Sequence, residues 1–234
     1  MKKGEAKQAM EPAPEPASDM WTEYSVSLKI LNRIYGGIPK NPELIEGFLK
    51  GKGVPAMAVA ELAPKIAASI DPEEAEAART AEAMWTGFKS DDRGIYIETR
   101  QIKAMLKEAS GESEMWRDIR GLKSRLGGAV FPKAEGGSDF SRIYLYRDGK
   151  PLGKPDAFED TVGHVSGPAG PRSILKRKDY AENVVMSFKL KVGSRTVTEE
   201  VLRNLFEFGS ELGLGADRSQ ENGKFEVMEF AKKA

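Results

Sequence analysis

The chain has no cysteine and a single histidine among 234 residues. No disulfide, thiolate zinc site or iron–sulfur cluster can form, and one chain cannot supply a multi-histidine metal centre. Net charge is also lacking: 36 basic residues meet 36 acidic ones. A polybasic, histone-like protein is excluded, though a local basic patch is not. Aromatic residues make up only 8%. No apolar run approaches the roughly 18 residues of a spanning helix, so no membrane association is expected. Met1-Lys2-Lys3 has the charge of a signal-peptide start, but no apolar stretch follows and none is expected. Sequence fingerprints of a phosphate-binding loop, a dinucleotide site, a nucleophile elbow or a zinc protease are missing too. No cofactor and no metal are expected, and a reducing cytoplasmic setting suits the cysteine-free composition.

What is present reads as a soluble mixed fold. Residues 1–22 alternate Pro12, Pro14 and Pro16 with Ala and Glu and are expected to form an extended arm. Residues 23–234 are read as a single domain. Val26, Leu28 and Ile30 alternate with polar neighbours as in a half-buried strand. Asn41-Pro42-Glu43 and Asp71-Pro72-Glu73-Glu74 are helix starts, with a cap, a proline and acids in the first turn. They frame an alanine-rich, acidic helical insert over about 54–90. Gly94–Glu98 reads as a strand and Thr99 as the cap of a helix, with another helix over 113–125. A strand over 141–146 leads to the hairpin turn Asp148-Gly149. Glycine and proline dominate about 149–175, which is read as a long functional or mobile loop. The clearest strand is 182–192, and Thr198 opens an amphipathic helix that leads through a glycine-rich loop to a last strand. Helices crossing one face of a small sheet give an α+β architecture of ferredoxin-like or RRM-like type. Such a sheet leaves one face open, where aromatic and basic residues can bind single strands.

Charge is polarised along the chain. Acids outnumber bases over 43–92, and bases outnumber acids over 100–133 and 170–195. The second basic stretch holds Arg172, Lys176, Arg177 and Lys178, and further on Lys189 and Lys191 on one strand face. This pattern suits RNA binding, subunit stacking or an ordinary solvated surface.

The loop Gly213-Leu-Gly215-Ala-Asp-Arg218-Ser219-Gln220-Glu-Asn-Gly223 precedes the final strand. Its glycines permit close backbone approach, and its N–H groups with Arg218, Ser219 and Gln220 can grip phosphates; it reads equally as a plain helix-to-strand connection. The segment resembles the glycine-rich loop of the RAMP superfamily, the repeat-associated proteins of CRISPR systems. Ile95 to Lys107 is similar to a second family segment, with Lys103 matching the family lysine and Lys107 standing where arginine is usual. The Pro-Gly-Ser turn of that segment is absent. The resemblance covers about 24–34, 93–109 and 172–230. It implies a non-catalytic subunit that binds single-stranded guide RNA and assembles with copies of itself and with other effector subunits. It implies that loop 213–223 and the start of the Lys103 helix face one groove. Relatives that cut target RNA use an acid in the loop after the first strand, and Asn32–Lys40 has none. Two alternatives stand beside this: a phage or mobile-element protein that reuses the fold for self-assembly, and an RNA-processing endoribonuclease. For the latter His164 is the one catalytic candidate.

Overall fold

The computed structural model describes residues 20–81, 84–112, 116, 118–135, 141–167 and 170–233. Residues 1–19 of the expected arm, and the expected helix start at 113–115, lie outside them. Strands β1 (Thr22–Ile30), β2 (Arg33–Tyr35) and β3 (Ile38–Pro39) come first. Helices α1 (Ile45–Gly51), α2 (Ala56–Ala67) and α3 (Pro72–Thr80) lead to β4 (Met84–Gly87), β5 (Lys89–Asp91) and β6 (Gly94–Glu98). Then follow α4 (Thr99–Glu112), α5 (Leu122–Ala129), β7 (Val130–Ala134), β8 (Arg142–Tyr144), β9 (Tyr146–Arg147) and β10 (Lys150–Pro151). The chain closes with β11 (Ala157–Gly167), β12 (Gly170–Glu182), β13 (Val185–Val192), α6 (Glu199–Leu212) and β14 (Phe225–Lys232).

Strand β13 lies between β1 and β7, and β14 flanks β1 on the other side, every pairing antiparallel. Read along the chain as β1, α4, β7, β13, α6, β14, this is the split β-α-β order of a ferredoxin-like sheet. The alternation that marks β1 and β13 in sequence explains it. Tyr24, Val26, Leu28 and Ile30 point to one face together with Met186, Phe188, Leu190 and Val192, and all are buried. Helices α4 and α6 cover that face with Ile102, Met105, Leu106, Leu202, Leu205 and Phe206. Phe206 touches Phe188 and Phe230 with ring centroids at 6.3 and 5.7 Å. The Thr198 side chain accepts from the Val201 N–H and starts α6, as the sequence suggested.

A second sheet runs β11-β12-β4-β3, with β2 also on β12. It corrects the expected loop. Residues 157–167 and 170–182 form a long antiparallel hairpin, with register Ala157 to Tyr180 through Gly167 to Gly170. Charged residues stand on both faces of this hairpin, so no apolar alternation announced it. The helical insert holds more than helices, because β4 pairs parallel to β12 through Trp85 and Arg177. The helix expected over 113–125 is seen at 122–129, and Thr22 belongs to β1 rather than to the arm. Among the described residues no helix is long and apolar enough to cross a membrane.

Candidate nucleic-acid interface

Helix α6 stops at Gly213, whose φ of +76° an L side chain rarely adopts. Gly215 follows at +86° and lies so close to β2 that a Cβ there would meet the Tyr35 carbonyl oxygen at 2.7 Å. The loop is stitched to β2: Ala216 N–H donates to Tyr35 and Gly223 N–H to Arg33. Leu214, fully buried, donates to Gly223, and the Asn32 side chain bridges Glu221 and Lys224. The N–H groups of Gly213, Leu214, Ala216, Gln220, Glu221 and Gly223 all bond within the fold. The glycines therefore serve first to turn and dock the loop. Ser219 and Gln220 stand exposed on its outer turn.

A groove of about 660 Å³ opens beside this loop. Its walls include Gly36, Gly37, Gly215, Arg218 and, from the first turn of α4, Arg100 and Gln101. The expected meeting of loop 213–223 with the start of the Lys103 helix is thus present. Lys103 itself is not in that groove. It sits on the other flank of α4, its ammonium 4.4 Å from the centroid of the Phe131 ring on β7. Burial there, with Lys107 one turn away, lowers its pKa. Helical spacing explains the miss: Gln101 and Glu108 project from one flank, Lys103 and Lys107 from the other.

The remaining candidate cations are largely engaged. Arg218 donates to Glu108 of α4 at 2.7 Å, and Lys178 pairs with Asp217 in the loop. Arg177 points to the opposite face of β12, with two bonds to Asp160 at 2.8 and 2.9 Å. Its guanidinium lies 4.0 Å from the Phe158 ring centroid, and Asp160 is held below its usual range by these bonds. The stem of Lys176 runs across Gly163, where no side chain stands in its way. His164 pairs with Ser173 in β11, not in a loop, and Arg172 pairs with Val165 in β12; the side chains of His164 and Arg172 lie outside the described residues. Within the groove, Glu98 stands between Lys89 at 3.1 Å and Arg100 at 2.7 Å. Burial opposes its ionisation, but these cations keep its pKa lowered.

A second concavity, of about 690 Å³, lies on the open face of the first sheet, which β9 and β10 extend beyond β13 to six strands. Lys29, Arg93, Tyr144, Tyr146, Val185 and Ser187 line it. Arg93 reaches over Tyr144 at 4.5 Å and bonds the Tyr146 hydroxyl. Asp91 accepts from Tyr144 and Arg142, both at 2.6 Å, and partial burial together with the Asp91 carboxylate pushes the pKa of the half-buried Tyr144 hydroxyl up to about 12. Alternation on β13 gave a sequence signal for this face through Lys189 and Lys191, but no signal joined them to Tyr144 or Tyr146.

A scan against protein-family profiles finds no match, and a search of curated proteins finds none either. Solved structures do match. One is a chain in the cryo-EM structure of the Type III-B Cmr-beta bound to cognate target RNA, at 15% identity and a TM-score of 0.44. The match covers 91% of this chain and 60% of that one, so this chain spans less than two thirds of its length. Another is Cmr6 from Pyrococcus furiosus, at 14% identity and a TM-score of 0.36, covering 89% of this chain and 98% of that one.

Proposed function

We propose that this chain is a non-catalytic RNA-binding subunit that assembles along a guide RNA in a CRISPR-type effector complex, the role its RAMP resemblance implies. The observation that carries the reading is the groove between loop 213–223 and the first turn of α4, where Arg100 and Arg218 meet a glycine-lined wall. Phosphate tracks are built this way, from basic side chains on separate chain segments converging on backbone. Arg218 exchanges Glu108 for a phosphate when RNA enters. The purified protein is expected to retain single-stranded RNA at low salt and to lose it as salt rises, with a negative log–log slope that counts the contacts. Size measurement in the same experiment separates a weakly binding monomer from an assembly. No retention of host or added RNA in any assembly state sinks the reading.

One observation favours a second reading, a self-assembling structural protein. Arg177, Lys178 and Arg218 are each held by a carboxylate of the same chain. Oligomers whose ultraviolet absorbance shows protein alone support it, and the absorbance ratio of bound RNA excludes it.

A further inference from the structure

The sheet face opposite α4 and α6 has an aromatic and cationic station at each end of β13. At the Lys191 end, Trp21 lies flat against Gly193, where a Cβ would fall 2.4 Å from the indole carbon Cζ3. Only glycine leaves space for the ring. Phe131 meets the indole edge-on at 5.8 Å, and the Lys191 ammonium sits 4.8 Å from the ring centroid. At the Val185 end is the concavity of Tyr144, Tyr146 and Arg93. Six residues of strand separate the two stations, roughly 20 Å. Between them the surface is small and polar: Ser25 and Ser27 of β1, Ser187 and Lys189 of β13, with the Ser187 hydroxyl 3.2 Å from that of Ser27. Lys133 of β7 pairs with Lys189. Acids on this face are Glu226 and Glu229 on β14 and Glu23 opposite Lys191, while Glu135 and Asp148 line the concavity, where Asp91 accepts from Tyr144. Between the two stations β13 and β7 carry Lys189, Lys191 and Lys133.

We propose that this open face is a second RNA surface, a track for about four nucleotides of single strand, the lower end of such sites. One base stacks at Trp21, another at the Tyr144 and Tyr146 concavity, and Lys189, Lys191 and Lys133 follow the phosphates. The serine hydroxyls between the stations suit ribose 2′-hydroxyls, which commits the track to RNA rather than DNA. The inference rests on the reading of the chain as an RNA binder, but uses none of the groove residues.

The test is fluorescence anisotropy with a labelled oligouridine of about eight nucleotides, and its deoxy counterpart, on the full chain. Trp21→Ala is expected to weaken RNA binding by about tenfold, and Trp21→Phe to retain most of it. Tyr146→Ala weakens binding at the other end, and Lys189→Glu both weakens it and lowers the salt slope by about one or more. Circular dichroism melting verifies that each variant is folded; should Trp21→Ala unfold, Lys189→Glu and Tyr146→Ala decide alone. Wild-type affinity in Lys189→Glu and Tyr146→Ala, alongside a loss in Arg218→Ala, overturns the open-face track and leaves the groove reading standing. Equal affinity for the deoxy strand overturns the commitment to RNA. A wild type that binds neither strand removes both readings.

Discussion

The sheet built on β1 and β13 and the hairpin sheet bury different chemistry. Between the first and its helices lie Val26, Leu28, Phe188, Leu190 and Phe206, each at most 1% exposed. Beside the second, two charged side chains are buried, Lys40 and Asp179, at 1% and 3%. Lys40, just beyond β3, pairs with Glu74 of α3 and lies 3.5 Å from Asp179 of β12. Trp85 of β4 donates its indole N–H to Asp179 at 2.6 Å. Gly87 leaves the space: a Cβ there would come within 2.2 Å of both Asp179 and Lys40. Apolar burial is roughly proportional to area and tolerates small shifts. A buried ion cluster gives little net stability but penalises wrong arrangements, since a displaced partner strands a charge. The first sheet is thus held together by burial, while the second is held in register by matching charges across α3, β3, β4 and β12.

The largest effect expected from that contrast is in the core. Phe188→Ala removes a fully buried ring and should lower stability by about 3–5 kcal/mol in denaturant unfolding. Next comes Lys40→Met, which keeps the stem and deletes the cation. It leaves Asp179 and Glu74 uncompensated and should cost about 3 kcal/mol. Hydrogen exchange sharpens the comparison: amides of β12 and β4 should lose protection while those of β1 and β13 keep theirs. Equal loss in both sheets would mean that the two regions are one cooperative unit.

A pH series on Asp179→Asn probes the same cluster from the acid side. Burial raises the Asp179 pKa above 3.8, against the bond from Trp85 and the charge of Lys40. The folded state then binds the proton more tightly than the unfolded chain. This group therefore adds stability as pH falls through its folded value, and the gain is complete below 3.8. The wild type should gain on Asp179→Asn over that window; a stability difference independent of pH would refute it. The smallest effect belongs to Arg177→Ala, about 1 kcal/mol, because its pair with Asp160 and its stack on Phe158 are partly exposed.

The same contrast explains what could be read from sequence. Period-two alternation marked β1 and β13, and caps at Asn41, Asp71 and Thr198 marked helix starts, because these signals are local and the first sheet has a single apolar face. The hairpin escaped. Glu159, Asp160, Lys176, Arg177 and Lys178 face both ways, and the glycines near its tip read as loop. Loop 213–223 and the start of α4 were correctly brought together. Which flank of α4 Lys103 would occupy was not legible, and neither was the partner of Arg218, which lies 110 positions away. Trp21 fell inside a segment read as an arm, so the stacking station it forms with Phe131 left no trace in the pattern.

Strand β1 is central in the sheet, yet both its neighbours come late: β13 begins at Val185 and β14 at Phe225. On a ribosome adding roughly 5–20 residues per second, the apolar stripe Tyr24, Val26, Leu28 and Ile30 waits on the order of ten seconds or more for its first partner strand. A nascent chain stalled before Val185 presents two unpaired edges and an uncovered apolar face, the features that draw chaperones or lead strands to pair wrongly. Pairing of β1 therefore waits on residues 185–232, so a pause in synthesis ahead of Val185 leaves this sheet more exposed than a pause ahead of Thr22.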